Sequence, residues 1–234
     1  MVSVVMHYNP GLPHQVRHAE AFKAVGVEVT PAPCGDADVH IVSGPHFALA
    51  RWLNHPNVIF LDRAFYGDPE YVSMGWMNPD GSRTFATGDT PRPKPEPKPW
   101  KKWMPGECRA LVLPDYQQDA TALIELARER YNFVTLRRHP AELKPAETLA
   151  EQLEAHHVAI GHSSTALFDA VIAGLPVICT DPLNVVAEVS QTNTEGVLRR
   201  PDRTDWLHRV SWMQWNHEEF GHARRLLLAQ RGFA

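Results

Sequence analysis

Between Thr90 and Trp100 the chain reads PRPKPEPKP, with proline at every second position. Proline fixes φ and carries no backbone N–H, so this stretch enters neither a helix nor the middle of a sheet, and extended polyproline II is what remains. The charges between the rings keep it solvated. The residues on either side must therefore bury their apolar surface separately, which divides the 234 residues into two halves, each long enough for a small core. The organisation this predicts is an N-terminal domain over residues 1–88, a linker over 89–105, a C-terminal domain over 106–205 and a helical segment over 206–234. An apolar fraction of 44% with 21% charged residues is ordinary for a folded protein and excludes general disorder.

Both halves alternate β-rich runs with helical patterns. In the first, Val2–Tyr8 reads as a strand stopped by Asn9-Pro10-Gly11, His14–Val25 as a helix closed by Gly26, and Val27–Thr30 as a second strand. Val39–Ser43, a helix over Phe47–Leu53, and Val58–Leu61 continue the pattern. Residues 71–86, centred on the turn signal Asn78-Pro79-Asp80-Gly81, predict a hairpin that makes an excursion from this sheet. The second half predicts strands over Ala110–Leu113, Phe133–Leu136, Val158–Ile160 and Pro176–Cys179, with helices over Asp119–Arg130, Ala146–His156 and Thr165–Ala173. The segment Trp206–Gln230 reads as helical, in one piece or two, packing back across the linker. Strands separated by helices of this length imply right-handed crossovers, so the expected class is α/β with two small Rossmann-like parallel-sheet half-domains facing a cleft.

Composition narrows the partners and the compartment. A net charge of −4 provides no whole-protein attraction to nucleic acid or anionic membranes. Cys34, Cys108 and Cys179 are too few and too far apart for a metal knuckle or a disulfide framework, so reduced buried thiols are expected. The N-terminus MVSVVMHYNPG lacks a basic segment followed by an apolar core, and no run approaches the roughly 20 apolar residues of a membrane span, so a cytoplasmic location without membrane contact is expected.

Two segments of the second half carry chemistry. At Gly161-His162-Ser163-Ser164-Thr165 a strand gives way to small hydroxyl residues at a helix opening, where free N–H groups and the helix dipole suit a phosphate. Simple helix capping by Ser163 or Ser164 is the plainer reading. Arg137-Arg138-His139-Pro140 brings two guanidinium groups and an imidazole to the carboxyl end of another parallel strand, where open α/β sheets bind ligands, although a solvated basic turn has the same composition. In the first half, Asp62 ends the strand Val58–Leu61 and is the best-placed carboxylate to take a proton. Asp62-Arg63 reads equally as a salt-bridged strand end, and Asp68, Glu70 and His7 stand in reserve. Gly11, after the first strand, permits close backbone approach of a ligand, or is only a turn. Trp76, Trp100, Trp103, Trp212 and Trp215 serve either as stacking surfaces or as core. Thirteen histidines include no set at convincing metal spacing, and no phosphate-binding G-x-x-x-x-G-K-[ST] or dinucleotide G-x-G-x-x-G sequence is present.

The TLRRHP stretch followed by AIGHSSTALFDAVIAGLPVICTD resembles the nucleotide-binding half of GT-B glycosyltransferases, in particular the HP and SS motifs of sialyl-, Kdo- and capsule-type transferases. By that resemblance His139, Ser163 and Ser164, with His162 and Thr165 beside them, contact the donor's phosphates or nucleoside, and Asp169 or Glu188 takes the ribose hydroxyls. It also implies an inverting or retaining transfer without a metal cofactor, from a nucleotide sugar, UDP-linked before CMP-linked. FLDRAFYGDPEYVSMGWMNPDGSRTF and SWMQWNHEEFGHARRLL look in addition like small bacteriophage-encoded proteins of the same fold, some of which decorate modified DNA bases, and this implies hydroxymethylated DNA as an acceptor. A nucleotide-sugar epimerase or hydrolase, and a non-catalytic nucleotide-binding module, are the alternatives.

Overall fold

The computed structural model describes residues 2–31, 36–44, 55–67, 71–102 and 107–233. The chain forms two compact units, one made of Met1–Pro93 with His208–Ala234 and the other of Lys94–Leu207.

In the first unit, β1 (Val4–His7), β2 (Glu28–Thr30), β3 (Val39–Ser43) and β4 (Val58–Arg63) are parallel neighbours in the order β4-β3-β1-β2. α1 (Pro13–Ala24) begins with proline at its first position, where the missing N–H is no loss. Gly26, at φ 78°, turns the chain back into β2. One face of the sheet packs Met6, Ile41, Ile59 and Leu61 against Phe22 of α1 and Phe220 and Leu227 of α6 (Phe220–Gln230). The expected helix over 47–53 lies outside the described residues.

The hairpin expected to leave the sheet instead extends it. β5 (Tyr71–Met77) pairs antiparallel along β4 from Ile59↔Trp76 to Arg63↔Val72, and β6 (Arg83–Phe85) pairs with β5. Without β5, the outer edge of β4 would carry a row of unpaired N–H and C=O groups; with it, Val72, Met74 and Trp76 enter the core. The first sheet is therefore mixed rather than parallel. The tail is not all helix either: between α5 (Thr204–Trp212) and α6 lies β11 (Gln214–Asn216), antiparallel to β5, which buries Trp215 completely.

Arg92 locks this tail in place. Its guanidinium lies 4.1 Å from the Trp215 ring centroid and 5.2 Å from that of Trp212, donates to the carbonyls of Ser211 and Gln214, and pairs with Glu219 at 2.9 Å. Arg92→Ala is expected to lower stability by about 3 kcal/mol, since it strands a carboxylate and two carbonyls. Arg92→Lys should restore only part, because an ammonium cannot reproduce the planar fork. An unchanged urea midpoint for Arg92→Ala would remove this role.

The second unit holds β7 (Arg109–Leu113), β8 (Phe133–Leu136), β9 (Val158–Gly161) and β10 (Val177–Cys179), all parallel, in the order β10-β9-β7-β8. Its helices are α2 (Thr121–Arg128), α3 (Leu149–Ala155) and α4 (Ala166–Ile172). α3 starts where it does because Thr148 and Glu151 form a capping box. Ala110, Val112, Leu123, Ala127, Val158, Ile160 and Ile178 share one core. The later part of the proline-rich segment is docked on this unit. Lys98 N–H donates to Ile172 O, Lys101 N–H donates to Gly174 O, and Arg203 donates to the carbonyls of Val171 and Lys98. Lys101 Nζ takes the carbonyls of Leu153, Glu154 and His156 at the end of α3. Among the described residues no helix is long and apolar enough to cross a membrane.

Candidate functional site

In the Lys94–Leu207 unit the chain runs from β7 to β8 on one side and then returns to β9 on the other. That reversal separates the loops leaving β7 and β9 at their carboxyl ends, the place where doubly wound sheets take ligands. Asp115, two residues past β7, reaches across this point, and its Oδ2 accepts the Ser163 hydroxyl at 3.0 Å. The β7 loop is held from within: Asp115 N–H donates to Gln118 Oε1 at 2.9 Å, and Asp115 Oδ1 accepts Tyr116 N–H at 2.8 Å.

Among the described residues Gln117 is the single non-glycine with positive φ, at 58°. Its N–H donates to the Glu142 carboxylate, whose other oxygen lies 3.6 Å from Arg138 Nη1. Glu142 thus joins the loops after β7 and β8 and offsets the cost of the left-handed residue. His139 accepts Ala141 N–H at Nδ1, so the neutral ring carries its proton on Nε2. Its ring stands edge-on to Tyr116 at 5.3 Å, and Tyr116 is 51% exposed.

The residues expected from sequence separate under this geometry. Arg138, His139 and Ser163 lie on the strand-carboxyl edge. Arg137 turns away, with Nη1 donating to Glu147 O and Gln152 Oε1. His162 Nδ1 sits 2.9 Å from Thr180 Oγ1, and the His162 carbonyl accepts from Asn184 Nδ2 and from the Cys179 thiol. Burial pushes that thiol up to about 11, which keeps it protonated as a donor. Ser164 is buried. Thr165 is exposed at the N-cap of α4 and makes no side-chain cap bond. Asp169 on α4 and Glu188 on the 3₁₀ turn Ala187–Val189 are both exposed.

In the other unit, Asp62 Oδ1 accepts the N–H of Arg63, while Oδ2 lies 3.7 Å from Nη1 of Arg83, brought alongside by the hairpin. Arg83 also bonds Ser73 Oγ at 3.0 Å. Gly11 is exposed and donates to Asn9 Oδ1 at 2.9 Å. His7 is buried, its Nε2 3.0 Å from His40 Nδ1. Asp68, Glu70 and Trp103 lie outside the described residues. Trp76, Trp212 and Trp215 are core. Trp100 carries the Arg203 guanidinium at 4.0 Å, and it borders a groove of about 580 Å³ with Lys94–Pro97 and residues 200–204, none of them on a strand-carboxyl edge. Among the described residues no set of three His, Cys, Asp or Glu side chains is placed to hold a metal ion.

Sequence reasoning missed Asp115, Tyr116, Gln117 and Glu142. Asp115 carried a signal, a carboxylate two residues after the buried run ALVL, the same logic that selected Asp62. The left-handed Gln117 had none.

No protein-family model and no curated protein sequence matches the chain. Among solved structures it is similar to Thermosulfurimonas dismutans KpsC, a beta Kdo 2,7 transferase, with a TM-score of 0.59 over 97% of this chain and 99% of that one. The likeness is one of fold. At 12% identity it shows the two-domain, Rossmann-like GT-B type of architecture and nothing about substrate.

Proposed function

We propose that this protein is a glycosyltransferase whose Lys94–Leu207 unit grips a nucleotide-sugar donor and whose other unit serves the acceptor. The observation that carries the reading is the Asp115–Ser163 bridge at the switch point, with Arg138, His139 and Tyr116 on the flanking loop ends. Arg138 pairs with Glu142 and is half exposed, so a diphosphate can displace that carboxylate and gain charge-assisted bonds. His139 Nε2–H and the Thr165 hydroxyl supply further donors, Ser163 joins them by turning its hydroxyl from Asp115 to the donor's phosphate, and the exposed Tyr116 ring supplies a face for a base. This donor set needs no metal, since positive charge comes from arginine. The KpsC likeness supports the transferase class and makes a Kdo donor one to test. UDP-, CMP- and GDP-linked sugars complete the panel.

Asp62 is the proposed base for the acceptor hydroxyl, at a strand end with Oδ2 3.7 Å from the Arg83 guanidinium. The acceptors to assay are a hydroxymethylated base in DNA and the hydroxyl of a glycan or small molecule.

The test is a thermal-shift screen over the donor panel followed by transfer assays. Arg138→Ala and His139→Ala are expected to weaken donor binding about tenfold each, the loss of one charge-assisted hydrogen bond. Asp62→Asn should leave donor affinity intact and lower single-turnover transfer by about a hundredfold or more. Donor consumed without any acceptor would identify a hydrolase or epimerase, and donor bound but never consumed a binding module. Normal turnover by Asp62→Asn would eliminate it as base.

A further inference from the structure

The parallel part of the first sheet has a switch point of its own. The chain leaves β1 for β2 on one side and returns to β3 on the other, so the carboxyl ends of β1 and β3 part at a second switch point. The side chains that join these ends are polar and buried. Gln15, 2% exposed, ties the two ends together, with Oε1 accepting Asn9 N–H at 2.8 Å and Nε2 donating to Ser43 O at 2.8 Å. Beside it the buried His18 has Nδ1 3.1 Å from the Ser43 hydroxyl.

Basic groups gather around His18 without an acid. The His14 ring, one helical turn earlier, is 5.9 Å away, and the His217 ring, from the 3₁₀ turn preceding α6, is 5.4 Å away. The Arg17 charge acts on both His18 and His217. Among the described residues, no carboxylate is among the charges acting on either ring, Arg17 has no ion pair, and His217 Nε2 is buried with no hydrogen-bond partner. His14 and Arg17 are exposed. Like charges this close oppose one another unless an anion lies among them. The crowding registers at His18, which burial first, and then the charges of His217, His14 and Arg17, pull down from 6.5 to about 4.

We infer that His14, Arg17, His18 and His217 form an anion site on the first unit, for a phosphate or a carboxylate group. An anion there turns their mutual repulsion into shared attraction. Arg17 supplies the permanent charge and the planar fork, and the imidazoles add N–H donors as they take up protons. The site uses no residue of the donor-binding unit, so it stands or falls separately from the reading above.

Histidine side-chain NMR titration of the full chain in chloride, phosphate or malonate at equal ionic strength tests it. A site that prefers the protonated ring tenfold raises its midpoint by about one unit. The expected result is a rise of that size at His18 and His217 in phosphate or malonate over the chloride control, with the more potent anion naming the class. Combined His14→Ala and Arg17→Ala should abolish the rise. Arg17→Gln, which keeps the side-chain length, should show the same loss if the double variant melts early. Equal midpoints in all three salts, or a rise that survives both variants, would overturn the assignment. Donor binding is read independently, by thermal shift with Arg138→Ala.

Discussion

Gly174→Ala is expected to destabilise the second unit by about 3 kcal/mol or more, because two penalties coincide at this position. Gly174 ends α4 at φ 83°, a conformation that any side chain resists. A Cβ there would also run into the backbone carbonyl of Pro99, at the point where the proline-rich segment is bonded to the end of α4 through Lys98 N–H to Ile172 O and Lys101 N–H to Gly174 O. Backbone cannot step aside as a flexible side chain can, so relief requires the docked segment to lift. Gly26→Ala is the control. Its φ is 78°, yet a Cβ meets nothing within 4 Å, so only the conformational penalty of about 1 kcal/mol applies. Urea denaturation of both variants separates the two contributions, and equal losses would show that the Pro99 contact does not constrain the chain.

The second large effect is acid sensitivity. His18 and His40 each fall from 6.5 to about 4. The first cause at both is burial; the second is a neighbouring imidazole, His217 for His18 and His55 for His40. Both rings are therefore neutral in the folded state at a pH where the unfolded chain protonates them. Between pH 6.5 and about 4 the unfolded state binds more protons, so stability is full above pH 6.5, declines as pH falls through this window and levels off below it. The whole decline amounts to roughly 2–3 kcal/mol per ring. The measurement is a series of urea midpoints from pH 7 to pH 4 in a chloride buffer free of phosphate and carboxylates. His18→Phe should flatten part of the slope. A stability independent of pH across that range would contradict the burial of both rings.

Much of the architecture was legible because it depends on local patterns. β3 coincides with the run Val39–Ser43, which is buried throughout, and β8 with Phe133–Leu136, a partly exposed edge strand, since a short β-rich run is a local feature in either place. The hairpin was recognised from Asn78-Pro79-Asp80-Gly81, but its attachment was not, because a turn signal says that two strands pair with each other and not which sheet edge needs covering. β11 was missed for a related reason. Three residues between two helices carry no period, and Gln214–Asn216 becomes a strand only because β5 offers a free edge. At the candidate site, Arg138, His139 and Ser163 were legible as polar residues just after the ends of predicted parallel strands. Arg137 shows the limit, since adjacent arginines at a strand end point to opposite sides and only one faces the edge.

The sequence by itself determined two α/β halves on either side of a segment that cannot be helix or sheet interior, and the positions of most strands, because proline geometry and apolar periodicity act over a few residues. Only the tertiary structure decided that residues 208–234 complete the first unit, that Asp115 meets Ser163 across 48 residues of chain, and that His217 joins His14, Arg17 and His18. Those pairings follow from strand order and register, which are set by which edges and apolar faces remain to be covered once the local elements exist.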